Sequence, residues 1–167
     1  VKGTNDTPTA VADTDSIGEG GTITVGASDN ENVLSDDSDL DDSATLTVSA
    51  IQPSGGSSAS VTSGTTSSNG TSVTGTYGTL TIGADGSYTY VANTAAANAL
   101  DSGESENDVF TYTVTDENGA TATTTITITV NGQNDAPVAQ DDVGWVAEDN
   151  TLTCLLYTSP SPRDMSA

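Results

Sequence analysis

Histidine is absent from this chain of 167 residues, and cysteine, tryptophan, methionine and phenylalanine occur once each. Positive charge is nearly missing too, with only Lys2 and Arg163 set against 24 Asp and Glu, a net charge of -22. Each scarcity excludes a class of function. Without histidine or a second thiol there is no Ser-His-Asp or Cys-His catalytic arrangement. One cysteine, Cys154, cannot build an internal disulfide framework. A chain this acidic offers no basic surface to nucleic acid or to anionic membranes. No apolar run approaches the ~18 residues that span a bilayer, so no membrane insertion is expected. No signal peptide is present and the chain opens at Val1, which reads as a fragment and leaves secretion open. A small extracellular domain lacking disulfides often needs another staple, and bound metal is one.

High acidity raises the question of disorder. The answer lies in what the chain has in quantity: Thr, Val and Ile in alternating runs, the composition of strands with one solvated face. Thr79–Ile82, the turn residues Gly83-Ala84-Asp85-Gly86 and Ser87–Val91 read as a hairpin. Val109–Thr115 puts Phe110, Tyr112 and Val114 on one face, and Thr123–Val130 does the same with Ile126, Ile128 and Val130. Asp116-Glu117-Asn118-Gly119 joins these two runs as a second hairpin turn. Thr45–Val48 alternates as well, and shorter strands are expected at Ala10–Asp13 and Gly21–Val25. The total, about seven, predicts an all-β fold: an antiparallel β-sandwich of immunoglobulin-like type. Asn93–Leu100 is expected to form a short helical turn at most. Pro53–Gly75 is a Ser, Thr and Gly tract that reads either as a thin hairpin, with Val61 and Val73 flanking Asn69-Gly70, or as a mobile surface insertion.

An internal repeat sets the domain organisation. Val1-Lys2-Gly3-Thr4-Asn5-Asp6-Thr7-Pro8 recurs as Val130-Asn131-Gly132-Gln133-Asn134-Asp135-Ala136-Pro137. Extended without a gap, 10 of 24 positions are identical, including Asp13 with Asp142 and Glu19 with Glu148, at a period of 129 residues. The match ends at Cys154. Back-translation of Cys154 to Asp164 spells a transposase-type sequencing adapter, so residues 154–167 are set aside as read-through. The expected organisation is one complete repeat over residues 1–133, the start of a second over 134–153, and a non-native tail.

Acidic residues crowd the segment Asp29–Asp42, where seven carboxylates fall in fourteen positions. Such crowding is relieved by a divalent cation, and oxygen-only ligands select calcium or magnesium. The alternative is a solvated acidic loop. Asp37-x-Asp39-x-Asp41-Asp42 fails as an EF-hand loop, because Asp42 stands at the glycine position and Val48 at that of the bidentate glutamate. Paired carboxylates can hydrolyse glycosides, but no pair here is set apart by apolar surroundings, and no enzyme is expected.

The junction Asn131-Gly132-Gln133-Asn134-Asp135-Ala136-Pro137 resembles the linker between cadherin-like repeats. The blocks Val33–Asp39, Gly78–Tyr88, Leu100–Glu104 and Phe110–Asp116 are similar to the bacterial VCBS and cadherin-like repeats of large RTX-type surface adhesins. The resemblance covers nearly all of residues 1–153. It implies an extracellular, calcium-stiffened structural spacer whose partners are the neighbouring repeats. It also implies two sets of Ca2+ ligands. Asn5, Asp6, Asp39, Asp41 and Asp116 would form part of one junction, and Glu19, Asp101, Glu104, Asn134 and Asp135 part of the opposite one. The spacing of Asp101 and Glu104 departs from the cadherin pattern. Rival readings are a sandwich that binds glycan or protein itself, and an accessory spacer in a secreted enzyme.

Overall fold

The computed structural model describes residues 3–41, 43–137, 139 and 141. The chain divides into two compact units, Val1–Gln133 and Asn134–Ala167. The second repeat beyond residue 141 and the tail 154–167 lie outside the described residues.

The described residues of the first unit form nine strands and one 3-10 turn. The strands are β1 (Asp13–Gly18), β2 (Thr22–Val25), β3 (Thr47–Pro53), β4 (Ala59–Ser60), β5 (Thr71–Thr74), β6 (Thr79–Ile82), β7 (Tyr88–Val91), β8 (Ser105–Thr115) and β9 (Thr121–Asn131). One sheet has the order β1-β9-β8-β3-β4 and the other β2-β7-β6-β5. Alternation explains the division of faces. Phe110, Tyr112 and Val114 on β8, with Ile126, Ile128 and Val130 on β9, are fully buried, while the threonines between them face outward. Tyr90 on β7 meets Phe110 on β8 edge to face, at 6.2 Å between ring centroids, and so ties one sheet to the other.

The β-sandwich expected from the sequence is found, with nine strands rather than about seven and with one parallel pair. β1 runs parallel to β9 over six residue pairs, from Asp13–Ile126 to Gly18–Asn131. It begins where the expected strand Ala10–Asp13 ends. Val11 is instead exposed, and its N–H donates to Asp37 Oδ1 at 2.7 Å, outside any ladder. The 53–75 tract is neither a hairpin nor an insertion without structure. Its strands β4 and β5 join opposite sheets, through β3 and β6, and Val61 and Val73 are both buried. The expected helical turn is a 3-10 turn at Ala97–Ala99.

Gly86 makes the β6–β7 hairpin possible. Its φ of +78° lies in the left-handed region, and a Cβ there would run into Asn32 Oδ1 and Leu34. Asn32 is buried and donates to the carbonyls of Gly26 and Asp85, anchoring the loop after β2 to this hairpin. Gly86→Ala should therefore cost about 2 kcal/mol in urea unfolding, because it adds backbone strain and displaces Asn32. An unchanged midpoint would show that the loop is not anchored here.

Candidate metal centres

β8 positions the two groups of candidate ligands. Asp116 follows its last residue and Glu104 precedes its first, so the eleven residues between hold these two at opposite ends of the module, roughly 40 Å apart along the strand.

At the first end the β8–β9 turn wraps around Asp116. Its Oδ1 accepts N–H bonds from Asn118 and Ala120 at 2.9 and 2.8 Å, and its Oδ2 accepts from Asn5 Nδ2 at 2.7 Å. Desolvation pushes this carboxyl up, but the donors from Asn5, Ala120 and Asn118 outweigh it and hold Asp116 below the usual carboxylate range. The backbone N–H of Asp6 donates to Asp41 Oδ2 at 2.8 Å, and that of Asp41 to Asp39 Oδ1 at 2.8 Å. Asn5, Asp6, Asp39, Asp41 and Asp116, drawn from three distant stretches of sequence, are thus linked by hydrogen bonds. Of these, Asp39 and Asp41 line an open hollow of about 470 Å³, together with Leu34, Asp37, Ser43 and Leu46. Ser43 holds a φ of +65°, a strained conformation beside the acidic residues. Asp39 Oδ2 and Asp37 Oδ2 are buried with no hydrogen-bond partner.

At the other end Glu19 is only 8 % exposed. Its Oε1 accepts from the Gln133 N–H at 2.7 Å, and its own carbonyl accepts from Gln133 Nε2 at 2.9 Å. Its Oε2 is buried and unpartnered. Asp101 and Glu104 form a turn before β8, in which the Asp101 N–H donates to Glu104 Oε2 and the Glu104 N–H to the Asp101 carbonyl, both at 2.9 Å. Gly132, beside Gln133, donates its N–H to the Glu104 carbonyl at 3.0 Å and approaches the Asp101 carbonyl closely enough to exclude any side chain. Asn134 and Asp135 belong to the second unit. There Asn134 Nδ2 donates to the Asp135 carbonyl at 3.3 Å, as Asn5 does to Asp6 at 3.1 Å.

Among the described residues no three carboxylates converge tightly enough to hold a metal ion alone. Several of their oxygens are engaged with backbone N–H groups, and Asp42 lies outside the described residues. What does fit a hard cation is the donor set. It is oxygen throughout, it holds an orphaned buried carboxylate oxygen at each end, and no basic side chain exists among the described residues to neutralise it.

Three polar features escaped the reading of the sequence. Asp108 is 3 % exposed and accepts N–H bonds from Thr76, Tyr77 and Gly78 and the hydroxyl of Tyr90, at 2.8–3.0 Å. Tyr88 donates to Asp15 and Tyr112 meets Asp13 in the same manner. Gln133 clamps Glu19. The available signal was period two: Asp108 is in phase with Phe110, and Asp13 and Asp15 with Ile17.

Comparison with known proteins bears on the whole of this unit. Residues 5–132 match the bacterial cadherin-like domain. The chain belongs to that family. In this cadherin-like domain the matched segment runs from the Asn5 linker to Gly132, beside the clamp on Glu19. No curated protein matches the chain. A solved structure described as a nucleoside hydrolase-related hypothetical protein from Saccharophagus degradans, associated with carbohydrate metabolism, shares 16% identity with it. The alignment covers 77% of the cadherin-like chain and 26% of that one, at a TM-score of 0.41, a likeness too remote to bear on activity. No helix among the described residues is long and apolar enough to cross a membrane.

Proposed function

We propose that this cadherin-like domain is a calcium-stiffened structural spacer, one of a tandem series in a large secreted or surface-anchored bacterial adhesin. One observation carries the reading. Carboxylate clusters stand at opposite ends of the module, each with a buried oxygen that has no hydrogen-bond partner among the described residues. A buried, unpaired carboxylate oxygen is costly, and no basic side chain among the described residues compensates it, which is what a bound cation would do.

Asn5, Asp6, Asp39, Asp41 and Asp116 would hold the ion at one end, and Glu19, Asp101 and Glu104 at the other. When bound, calcium supplies a charge that several carboxylates share. The chain's own residues do the remainder. Asn5 and Asp6 tie the linker to Asp116 and Asp41, and Gln133 ties the outgoing linker to Glu19. Linker direction is thereby coupled to the rigid sandwich at both ends, and the proposed role is mechanical, without catalysis. Tyr88, Tyr90, Phe110 and Tyr112 are buried, which favours a spacer over a module that stacks glycans on exposed rings.

A protein carrying two consecutive repeats, melted with saturating Ca2+ and with chelator, tests this. Calcium should add about 3 kcal/mol of stability and raise the Tm by on the order of 5–10 °C. It should also fix a more extended hydrodynamic shape. Asp39→Ala with Asp41→Ala should remove most of that gain. Identical Tm and hydrodynamic radius in both conditions would sink the proposal.

A further inference from the structure

The hydroxyl of Tyr112 has more acceptors than protons. Its oxygen lies 2.6 Å from Asp13 Oδ2, 3.0 Å from the Val33 carbonyl and 3.1 Å from the Val11 carbonyl. A phenol has one hydrogen to give. With Asp13 ionised, that hydrogen goes to the carboxylate, and the two carbonyls face lone pairs. A second proton, on Asp13, resolves the geometry. Asp13 Oδ2–H then donates to the Tyr112 oxygen, and the phenol turns its own hydrogen to Val33 or Val11.

We propose that Asp13 and Tyr112 form a proton-operated latch, in which a proton bound by Asp13 fastens β1, the core strand β8 and the acidic loop through one hydrogen-bond chain. Val33 lies in the loop that carries Asp39 and Asp41, and Val11 in the segment that follows Asn5 and Asp6, and the phenol hydrogen fastens one of the two at a time. The inference goes beyond the calcium reading and does not depend on it.

The surroundings favour the proton. From β8, Asp13 faces Tyr112, and from the acidic loop, Asp36 and Asp37. From β7 it faces Tyr88, whose hydroxyl is held by Asp15, the neighbouring acid on β1 itself, with Glu31 also acting on that hydroxyl. None of these groups is positive, and no Lys, Arg or His exists among the described residues. Burial pushes the Asp13 carboxyl up to about 6, with Asp36 and Asp37 adding to the rise and the Tyr112 hydrogen bond opposing it. In the unfolded chain Asp13 returns to the ordinary carboxylate value. Between about pH 4 and 6, therefore, the folded state holds a proton that the unfolded state has lost. The contribution of the latch is whole below that window, falls as pH rises through it, and is gone above it.

The intact chain in chelator, followed by the carboxyl carbon resonance of Asp13 during a pH titration, provides the direct test. A midpoint near 6 is expected, and a midpoint at or below 4 overturns the latch. Asp13→Asn supplies a second measurement, because its neutral amide cannot titrate. The folding equilibrium of the parent relative to this variant should fall by up to about a hundredfold between pH 4 and 7. A ratio that stays constant over that range also overturns it. Both measurements are made without calcium, so the latch and the calcium reading stand or fall separately.

Discussion

Asp108→Ala should be the most damaging single substitution in the domain, lowering stability by on the order of 3–5 kcal/mol in urea unfolding. The carboxylate fills the mouth of the β5–β6 turn, where three successive N–H groups, from Thr76, Tyr77 and Gly78, point at its two oxygens. The hydroxyl of Tyr90, on the next strand, is the fourth donor at 2.8 Å. Alanine leaves all four without that acceptor, and the Gly78 N–H and the Tyr90 hydroxyl are buried where water does not replace it. Glycine at 75 and 78 allows the fit, since a Cβ at either position would collide with Asp108 or with Tyr90. Asp108→Asn keeps the shape but turns an acceptor into a donor facing donors, and should recover less than half of the loss. If the alanine variant unfolds within 1 kcal/mol of the parent, the turn holds itself and the carboxylate is incidental.

Phe110→Ala should cost nearly as much, about 3–5 kcal/mol, but through a cavity in place of lost hydrogen bonds. Phe110 is fully buried on β8 and meets Tyr90 across the sandwich. Deleting the ring removes apolar area and also the edge-to-face pair, and the rigid sheets on either side close the void poorly. Phe110→Leu should restore roughly half of the loss, because most of the volume returns without the ring pairing. Chemical denaturation of the three proteins under one buffer would order them. If leucine proves no better than alanine, the packing argument fails and the aromatic pair carries the energy.

How far the sequence could be read depended on whether buried positions were apolar. Phe110, Tyr112 and Val114, and Ile126, Ile128 and Val130, alternate so regularly that strands, inward faces and hairpin turns followed directly. Asp13, Asp15 and Asp108 obey the same alternation, yet a carboxylate at an inward position reads as a break in the pattern, not as part of it. Each in fact answers a buried tyrosine: Tyr112, Tyr88 and Tyr90 in turn. A tyrosine whose ring is buried needs an acceptor at its tip, and that requirement is invisible in a list of hydropathies. β4 and β5 were hidden for a related reason. One buried valine marks each, Val61 just after β4 and Val73 within β5, in a tract of serine, threonine and glycine. The candidate ligands Asp39, Asp41, Asp116 and Glu19 came from the resemblance to cadherin-like repeats, because acidic residues are too common here for spacing to select among them. Gln133 was beyond reach by either route, since its role is set by where the chain leaves the sandwich.

The parallel pairing of β1 with β9 has a consequence for load. β1 is the first strand of the module and β9 the last, and the two lie side by side in the same direction. Tension applied to the two ends therefore slides one strand along the other. All six residue pairs between Asp13–Ile126 and Gly18–Asn131 are strained together, and none can peel away first. An antiparallel pair of terminal strands pulled at one shared end would unzip bond by bond at a fraction of the force. The arrangement that departs from the simplest antiparallel sandwich is the one suited to a tether under pull.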